Sequence, residues 1–303
     1  MMMDFTVERM AETLGLSCKF LYLLSNRTPD FYRIYKIPKK NGKFRTIEAP
    51  VPILKRIQRY IVNEILVDHA SEAVTAFEPG CSVKCNASFH CGKPIIVSLD
   101  IRNFFPSLKY AWVLSLFSQN VDEKQSAVML AKLCTLYGHL PQGSAASPHS
   151  SNLILRDFDT EVLKYCQLHG LTYTRYADDL TFSGNPGNEE ITELIRLCRM
   201  ELGKIGLHLN NDKIHIQRKG MRHEVTGVVV NEKLNAPRKA RRLIRQKMYY
   251  LNKHWEHEWR NLDEHSLKIL LGKVNFIWDL DRGNPEIGEY RRQLLEIQRY
   301  FNV

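Results

Sequence analysis

The chain has 303 residues, with 43 lysine or arginine and 33 aspartate or glutamate residues, which give a formal net charge of +10. Its 44% hydrophobic and 25% charged residues are typical of a globular protein and exclude a wholly disordered chain. The apolar runs are too short for a membrane span, and the acidic Asp4 and Glu8 stand where a secretory signal would be basic. We therefore expect a cytoplasmic protein with no membrane partner.

The positive charge and the cysteines both bear on the surroundings of the protein. No acidic tail or low-complexity tract accounts for the charge, so it favours a polyanionic partner, with nucleic acid as the leading class. The seven cysteines are an odd number and widely spaced, which is typical of reduced intracellular thiols rather than of a disulfide framework.

The first part of the chain predicts helices on either side of a β-hairpin. The segment from Val7 to Asn26 is read as two short amphipathic helices about Gly15, and a helical pair docked on the main body is favoured over a helix-turn-helix. From Tyr32 to Pro50, apolar residues alternate about an Asn-Gly turn, which is the strongest short-range signal for a hairpin. Residues 53–70 return to helical periodicity.

The rest of the chain predicts strands that alternate with helices, and then a helical end. The elements in order are a strand at 94–99, helices at 111–140 and 147–169, a strand-turn-strand at 171–182, a helix at 189–205, short strands at 207–230 and helices from 237 onward. This order predicts an α+β fold with an N-terminal helical segment at 1–30, a mixed body at 31–232 and a basic helical lobe at 233–303.

Aspartates lie at the ends of predicted apolar strands at two places in the sequence. Asp100 ends a short apolar run, and Asp178 and Asp179 lie at a turn between two predicted strands. A carboxylate at the end of a buried strand is costly unless a positive charge neutralises it, and hard oxygen ligands select Mg²⁺ or Mn²⁺. Two such ions about 3.5–4 Å apart can activate a hydroxyl and stabilise a leaving pyrophosphate. For the pair Asp178-Asp179 alone, an Asx-turn that caps a hairpin is the simpler interpretation.

Several motifs that occur in a fixed order favour a metal site over an Asx-turn at Asp178-Asp179. They are NASFH (86–90), SLDIRNFFPSL (98–108), LPQGSAASP (140–148), YTRYADDLTFSG (173–184), GLHLNNDKI (206–214) and VTG (225–227). In this order the chain resembles reverse transcriptases from about Tyr32 to Val230. The NASFH and VTG elements resemble those of the bacterial retron reverse transcriptases in particular.

The resemblance implies a right-hand polymerase, with fingers and palm over residues 31–232 and a thumb over 233–303. It implies an RNA-directed DNA polymerase that uses deoxynucleoside triphosphates and two Mg²⁺ ions, with Mn²⁺ as an alternative. For a retron enzyme it also implies a cognate structured noncoding RNA as template and primer, with synthesis that starts from a 2′-hydroxyl. The product would be a branched RNA-linked single-stranded DNA, and the system would act in antiphage defence with a separate effector protein.

The resemblance also assigns catalytic roles. Asp100, Asp178 and Asp179 correspond to the metal ligands of the family. Lys213 corresponds to the lysine that protonates the departing pyrophosphate, with an ordinary surface lysine as the alternative.

Nucleotide-binding residues are implied in the same way. Phe105 would lie beneath the incoming sugar and exclude a 2′-hydroxyl, with a core residue as the alternative, since either Phe104 or Phe105 should point inward. Gln142 would contact the incoming nucleotide from a turn in which Gly143 lets the backbone approach a substrate closely. The hairpin at 32–50 adds cations for the triphosphate, which are Lys40, Lys43 and Arg45. Arg45 is the best candidate of these, and which lysine assists it stays open.

Two regions are candidates for nucleic-acid binding. Asn86, His90 and Thr226 are associated with the cognate RNA by resemblance, and a structural turn with a satisfied histidine is an equal alternative. After Pro237, one helical face carries Arg238, Arg241, Arg242 and Arg245, and the opposite face carries Ala240, Ile244, Met248, Leu251 and Trp255. An apolar face that packs and a basic face that meets phosphate suit a thumb that follows a duplex.

Two alternatives to a retron enzyme remain open. The first is another bacterial reverse transcriptase, of the CRISPR-associated or abortive-infection type, against which the NASFH and VTG elements argue. The second is an RNA-binding scaffold of a defence ribonucleoprotein, against which the three aspartates argue, because a scaffold does not need three converging carboxylates.

Overall fold

The computed structural model describes residues 5–38, 42, 44–68, 70–253 and 263–301. The chain divides into two compact units, each built from segments that are distant in sequence. The first unit comprises Met1–Cys81, Val97–Phe182 and Pro186–His215, and the second comprises Ser82–Ile96, Ser183–Asn185 and Ile216–Val303.

Helices and strands are mixed along the chain, as an α+β fold requires. Their bounds are α1 (Val7–Leu14), α2 (Cys18–Asn26), β1 (Tyr32–Pro38), β2 (Phe44–Pro50), α3 (Pro52–Glu64), α4 (Val83–Ser88), β3 (Ile95–Asp100), α5 (Phe104–Ser107), α6 (Tyr110–Asn120), α7 (Lys124–Cys134), α8 (Ser147–Ile154), α9 (Arg156–Leu168), β4 (Thr172–Tyr176), β5 (Asp179–Gly184), α10 (Asn188–Lys204), β6 (His215–Gln217), β7 (Glu224–Val225), β8 (Val228–Val229), α11 (Arg238–Lys253), α12 (Glu264–Leu280) and α13 (Pro285–Phe301). Short 3₁₀ turns cover Thr28–Phe31 and Asn211–Lys213.

The N-terminal helices α1 and α2 form the docked pair that the sequence predicts. Hydroxyl groups of Thr6 and Ser17 cap their first turns, and Gly15 ends α1 with a left-handed φ of 63°. The helix α2 packs against α7, and Leu21 and Leu24 are fully buried. Burial of apolar side chains on α2 therefore holds this pair on the first unit.

The predicted hairpin is formed by β1 and β2, which pair antiparallel in a register that runs from Tyr32 opposite Pro50 to Pro38 opposite Phe44. Its side chains are mostly exposed toward the turn and become buried at Glu48. The alternation of apolar residues is therefore a correct signal for the strands.

A four-stranded sheet in the order β4-β5-β3-β6 carries the segments where carboxylates interrupt apolar residues. The strands β3 and β5 are adjacent, and most of their side chains are buried. The segment about Val74 adds a parallel bridge to Arg175 of β4. Near-continuous apolar runs are what strands buried on both faces require.

Two segments that are predicted as single long helices each form two helices, so these predictions are wrong. The segment predicted as one helix at 111–140 is two helices, because Val121 is buried in an extended conformation between α6 and α7. After α7 the chain turns tightly at Tyr137 and Gly138, both with positive φ, where Leu136 and His139 exchange backbone hydrogen bonds. The segment at 147–169 is likewise divided at Leu155, whose ψ of 4° leaves the helical region.

The second unit is built on one apolar core. The core combines buried residues of α4, β3, β7, β8 and the helices α11, α12 and α13, among them Ala87, Ile96, Val228, Met248 and Val274. The short hairpin of β7 and β8 turns through Thr226 and Gly227, which have φ of 46° and 83°. No helix of the described residues is long and apolar enough to cross a membrane.

Candidate functional site

The three predicted metal ligands lie in the first unit, where two adjacent strands of the sheet end. Asp100 is the last residue of β3 and is only 6% exposed. Asp178 lies in the connection between β4 and β5, and Asp179 begins β5. Ala177 reverses the chain with a left-handed φ of 57°, and the Ile101 N–H donates to the Asp178 carbonyl at 2.9 Å. The strand ends are therefore fastened side by side at the carboxylates.

Burial and nearby negative charge make the carboxyl groups of Asp178 and Asp179 weaker acids. Burial raises the pKa of Asp178, and the charge of Asp100 raises it further. Burial, together with the charges of Asp178 and Asp100, raises the pKa of Asp179 to about 6. A divalent cation favours the ionised forms, and carboxylate oxygens are the hard donors that Mg²⁺ and Mn²⁺ prefer. The donor chemistry of these residues therefore fits the divalent ions that the resemblance implies.

Lys213 supplies the positive charge at Asp100 in this structure. Its Nζ lies 2.6 Å from Asp100 Oδ2, and Asn210 donates Nδ2 to Asp100 Oδ1 at 3.2 Å. The hydrogen bond to Asp100 is the main cause that raises the pKa of Lys213, and the charges of Asp178 and Asp179 add to it. Across the described ranges, no three His, Cys, Asp or Glu side chains have a geometry that could hold a metal ion. In this conformation both Asp100 carboxylate oxygens therefore accept hydrogen bonds, one from Lys213 and one from Asn210.

The PQG turn is held against β2 by a residue that the sequence analysis missed. The backbone N–H of Gln142 donates to Glu48 Oε2 at 3.1 Å, and the Glu48 N–H donates to the Gln142 carbonyl at 2.9 Å. A Cβ at Gly143 would lie 2.8 Å from the Glu48 carbonyl oxygen, and His139 Nε2 lies 3.3 Å from both Glu48 carboxylate oxygens. The close approach that Gly143 permits is thus to β2, and a substrate contact at Gly143 stays a prediction. The only signal for Glu48 in the sequence is its place on the inward face of the hairpin.

The cations predicted for the triphosphate lie on the hairpin. Arg45 is exposed on β2, and its positive charge lowers the pKa of Asp178. The guanidinium therefore acts electrostatically on the carboxylate cluster. Lys40 and Lys43 lie outside the described residues.

Phe104 and Phe105 divide their roles as expected for adjacent aromatic residues after a strand. Phe104 is buried, whereas Phe105 is half-buried and its ring centroid lies 5.1 Å from that of Phe104. On its other side, Phe105 lies 6.5 Å from the ring of Phe77, an exposed residue with a strained φ of 67°. The residue that points inward is therefore Phe104, and Phe105 remains partly exposed.

A buried ion pair supports the hairpin of β4 and β5, and the sequence analysis missed it. Arg175 of β4 and Asp159 of α9 are both fully buried, with Arg175 Nη2 2.6 Å from Asp159 Oδ2. Arg175 also donates Nη1 to Asn152 Oδ1 at 3.1 Å, and Tyr173 donates its hydroxyl to Asp159 Oδ1 at 2.8 Å. An arginine in the middle of the run YTRYADD is the signal that could have revealed it, because a buried charge needs a partner.

Asn86, His90 and Thr226 lie in the second unit, and the structure gives all three structural contacts. Asn86 donates Nδ2 to Thr226 Oγ1 at 3.2 Å, and His90 Nδ1 lies 2.7 Å from Ser183 Oγ. Asn86 and His90 are both fully buried, and burial followed by the charge of Lys93 lowers the pKa of His90 to about 4. The histidine is therefore neutral at pH 7, and its direct contact with RNA stays a prediction.

The arginines of α11 differ in what they contact. Arg238 and Arg242 are exposed, whereas Arg241 is half-buried and its Nε has no hydrogen-bond partner among the described residues. Arg245 binds Glu286 of α13 with Nε–Oε distances of 2.9 and 2.8 Å. On the opposite face, Ile244, Met248 and Leu251 are buried, Ala240 is half-buried, and Trp255 lies outside the described residues. The predicted division into an apolar and a basic face is correct over α11.

Comparisons with known proteins agree with this geometry. Residues 37–269 match the family of reverse transcriptases (RNA-dependent DNA polymerases). The chain is 32% identical over 271 residues to the retron Mx65 reverse transcriptase of Myxococcus xanthus, covering 80% of this chain and 62% of that protein. It is 32% identical over 277 residues to the retron Ec83 reverse transcriptase of Escherichia coli, covering 84% of this chain and 85% of that protein.

A solved structure supports the fold. Telomerase from Candida albicans, in complex with the TWJ fragment of telomeric RNA, is similar with a TM-score of 0.50 and 11% identity. The similarity covers 88% of this chain and 61% of that chain, and at this identity it bears on the fold alone.

The chain therefore belongs to the reverse transcriptase family, with the α+β fold of the right-hand polymerases. It is an RNA-directed DNA polymerase by family, and its relatives confirm the resemblance to retron enzymes. Reverse transcriptases use divalent metal ions and copy an RNA template, which matches the carboxylate cluster and the positive charge of the chain.

Proposed function

We propose that this protein is the reverse transcriptase of a retron, which copies part of a cognate structured noncoding RNA into single-stranded DNA. The observation that carries the proposal is the cluster of Asp100, Asp178 and Asp179 at the strand ends with Lys213 beside it, in a chain whose relatives are named retron reverse transcriptases. Synthesis starts from a 2′-hydroxyl of that RNA and gives a branched product. The product acts in antiphage defence in the cytoplasm, together with a separate effector protein.

In the proposed reaction, Asp100, Asp178 and Asp179 hold two Mg²⁺ ions, for which Mn²⁺ can substitute. When bound, these ions supply Lewis-acid activation of the attacking hydroxyl and stabilise the charge of the leaving group. Lys213 carries its proton at neutral pH, as lysines ordinarily do, and the neighbouring carboxylates raise its pKa further. It is therefore placed to give a proton to the departing pyrophosphate as a general acid.

The incoming deoxynucleoside triphosphate is bound from the hairpin and the PQG turn by Lys40, Lys43, Arg45, Gln142 and Gly143. A guanidinium binds two phosphate oxygens at once, which suits the exposed Arg45 beside the carboxylates. The partly exposed Phe105 excludes a 2′-hydroxyl by its bulk and so favours deoxynucleotides.

The cognate RNA is bound by the second unit in this proposal. Exposed Arg238 and Arg242 bind backbone phosphates of a duplex, and Arg241 and Arg245 contribute from the same helical face, Arg245 less because it is bound to Glu286. Asn86 holds the β7–β8 turn through Thr226, and His90 contacts Ser183 of β5 in the same unit, so that the backbone about Thr226 is presented to the RNA.

The proposal is tested by expressing the gene with its flanking DNA and isolating small nucleic acids. These are treated with RNase and with debranching enzyme, and the experiment is repeated with Asp178→Ala and Asp179→Ala combined. We expect a short DNA that changes mobility on debranching in the wild type and is lost in the double variant, which should still bind RNA.

Other outcomes separate the alternatives. Primer extension on RNA without any branched DNA would retain the polymerase and reject the retron assignment, in favour of another bacterial reverse transcriptase. Absence of both activities with Mg²⁺ and Mn²⁺ would favour the RNA-binding scaffold.

A further inference from the structure

A polar cavity lies within the first unit, where the chain continues from Asp100. Its volume is about 530 Å³, and it is formed by the connection after β3, by α10 and by the loop before β6. Its polar lining consists of Arg102, Asn103, Ser107, Arg199, His208 and Asn211.

The lining is positively charged, and its backbone is held by hydrogen bonds. Arg199 donates Nη2 to Asn211 Oδ1 at 3.0 Å, an uncharged acceptor that leaves the positive charge of the guanidinium uncompensated. The Arg102 N–H donates to the His208 carbonyl at 2.9 Å, which joins two walls of the cavity. Among the described residues that line the cavity, none is acidic. Two guanidinium groups without a lining carboxylate favour an anion with several oxygens.

The cavity shares two short segments with the catalytic cluster. Arg102 follows Asp100 by two residues, and Asn211 belongs to the same 3₁₀ turn as Lys213, which binds Asp100. The Asn210 N–H, next to Asn211, donates to the Asp100 carbonyl at 2.8 Å, so the backbone that carries the cavity lining is joined directly to the catalytic cluster. The size of the cavity is in the range of small-ligand sites.

We propose that this cavity is a phosphate-binding site that receives the pyrophosphate released by nucleotide addition. The inference rests on the proposed polymerase function, because that reaction supplies the anion. The paired arginines hold the product away from the carboxylates, and they compete with its return to the catalytic cluster.

The direct test is calorimetric titration of the purified protein with inorganic pyrophosphate in the presence of EDTA, so that binding through metal at the aspartates is absent. The variants are Arg102→Gln with Arg199→Gln, and the control is Arg196→Gln, an arginine of α10 outside the cavity. We expect the double variant to weaken pyrophosphate binding at least about tenfold, because two charge-assisted contacts are lost, and the control to stay within about twofold. Equal affinities in all three proteins, or no binding to the wild type, would overturn the proposal.

A second readout separates pyrophosphate from the nucleic-acid backbone as the source of the phosphate. Pyrophosphate inhibition of primer extension on RNA should need about a tenfold higher concentration in the double variant, while its affinity for RNA is unchanged. Weaker RNA binding with unchanged inhibition would assign the cavity to nucleic acid and contradict the proposal. A wild type that fails to extend any primer would reject the polymerase function, whereas the titration would still decide whether the cavity binds pyrophosphate.

Discussion

His90 is a fully buried imidazole that makes the stability of the second unit depend on pH. Its pKa is about 4 in the folded chain, against 6.5 for an ordinary histidine. Between these values the unfolded chain binds a proton that the folded chain does not, so the free energy of unfolding falls as the pH falls. We expect a loss of about 3 kcal/mol between pH 7 and pH 4 from this residue. Urea denaturation of the wild type and of His90→Gln at both pH values measures it.

The glutamine variant keeps a hydrogen-bonding group toward Ser183 but cannot be protonated. Its free energy of unfolding should therefore depend less on pH than that of the wild type. Parallel pH profiles for the two proteins would show that His90 is not buried in its neutral form.

At Gly143, both the backbone conformation and the close approach of β2 disfavour a side chain. Its φ of 136° disfavours a side chain, and a Cβ would lie 2.8 Å from backbone of β2. We expect Gly143→Ala to lower the free energy of unfolding by about 2 kcal/mol or more and to reduce primer extension, because the PQG turn is pushed from Glu48. Urea denaturation and an extension assay measure the two effects.

Gly170→Ala is the matched control for that substitution. Gly170 also has a positive φ, of 62°, but a Cβ at this residue would meet no neighbouring atom within 4 Å. Gly170→Ala should therefore lower the free energy of unfolding by only about 1 kcal/mol, which is the cost of placing a side chain at a positive φ. Equal losses at both glycines would contradict a steric role for Gly143.

At the scale of elements, the buried pair of Arg175 and Asp159 joins α9 to the catalytic hairpin of β4 and β5. Removing one partner leaves an uncompensated buried charge, so we expect Asp159→Asn to lower the free energy of unfolding by about 3–5 kcal/mol. Chemical denaturation measures this loss. Arg292→Gln removes an exposed pair on α13 and serves as the control, for which we expect little change. A similar small effect at Asp159 would show that water reaches Arg175.

The helix α11 offers a second test at this scale. Arg238 and Arg242 are exposed, whereas Arg245 is bound to Glu286. If the first two bind phosphates, each glutamine substitution should reduce the slope of log affinity against log salt concentration by about 1. Filter binding of duplex RNA over a range of salt concentrations measures the slope. Arg245→Gln should reduce this slope less than either of the other substitutions. A larger reduction for Arg245→Gln would assign the phosphate contact to Arg245 rather than to Arg238 and Arg242.

For the whole molecule, local patterns in the sequence predict those features that depend on neighbouring residues. Period-two alternation predicts the β1–β2 hairpin, and the apolar run before Asp100 predicts β3. The turn at Asp178 and the amphipathic face of α11 are also predicted correctly, because both follow from neighbouring residues. Each of these signals lies within about twenty residues, which is close to the range over which periodicity is informative.

Features that depend on distant segments are absent from those predictions. Glu48 binds a turn more than ninety residues away, and Asp159 binds an arginine on another element. The break at Leu155 falls at a fully buried residue of high helical propensity, so propensity alone does not reveal it. The break at Val121 lies between Asn120 and Asp122, which are weak helix formers and are a local signal that the prediction does not use.

The core of the second unit has a consequence for protein engineering. Ala87 and Ile96, far upstream, share that core with α11, α12 and α13, and the chain passes between the two units at five points. A cut of the chain at residue 233 therefore separates α11, α12 and α13 from the upstream residues of the same core. Neither fragment then contains the whole hydrophobic core of the second unit. Grafting of the basic helices onto another polymerase would have to carry residues 82–96 and 216–230 with them, so the exchangeable cassette is discontinuous in the gene.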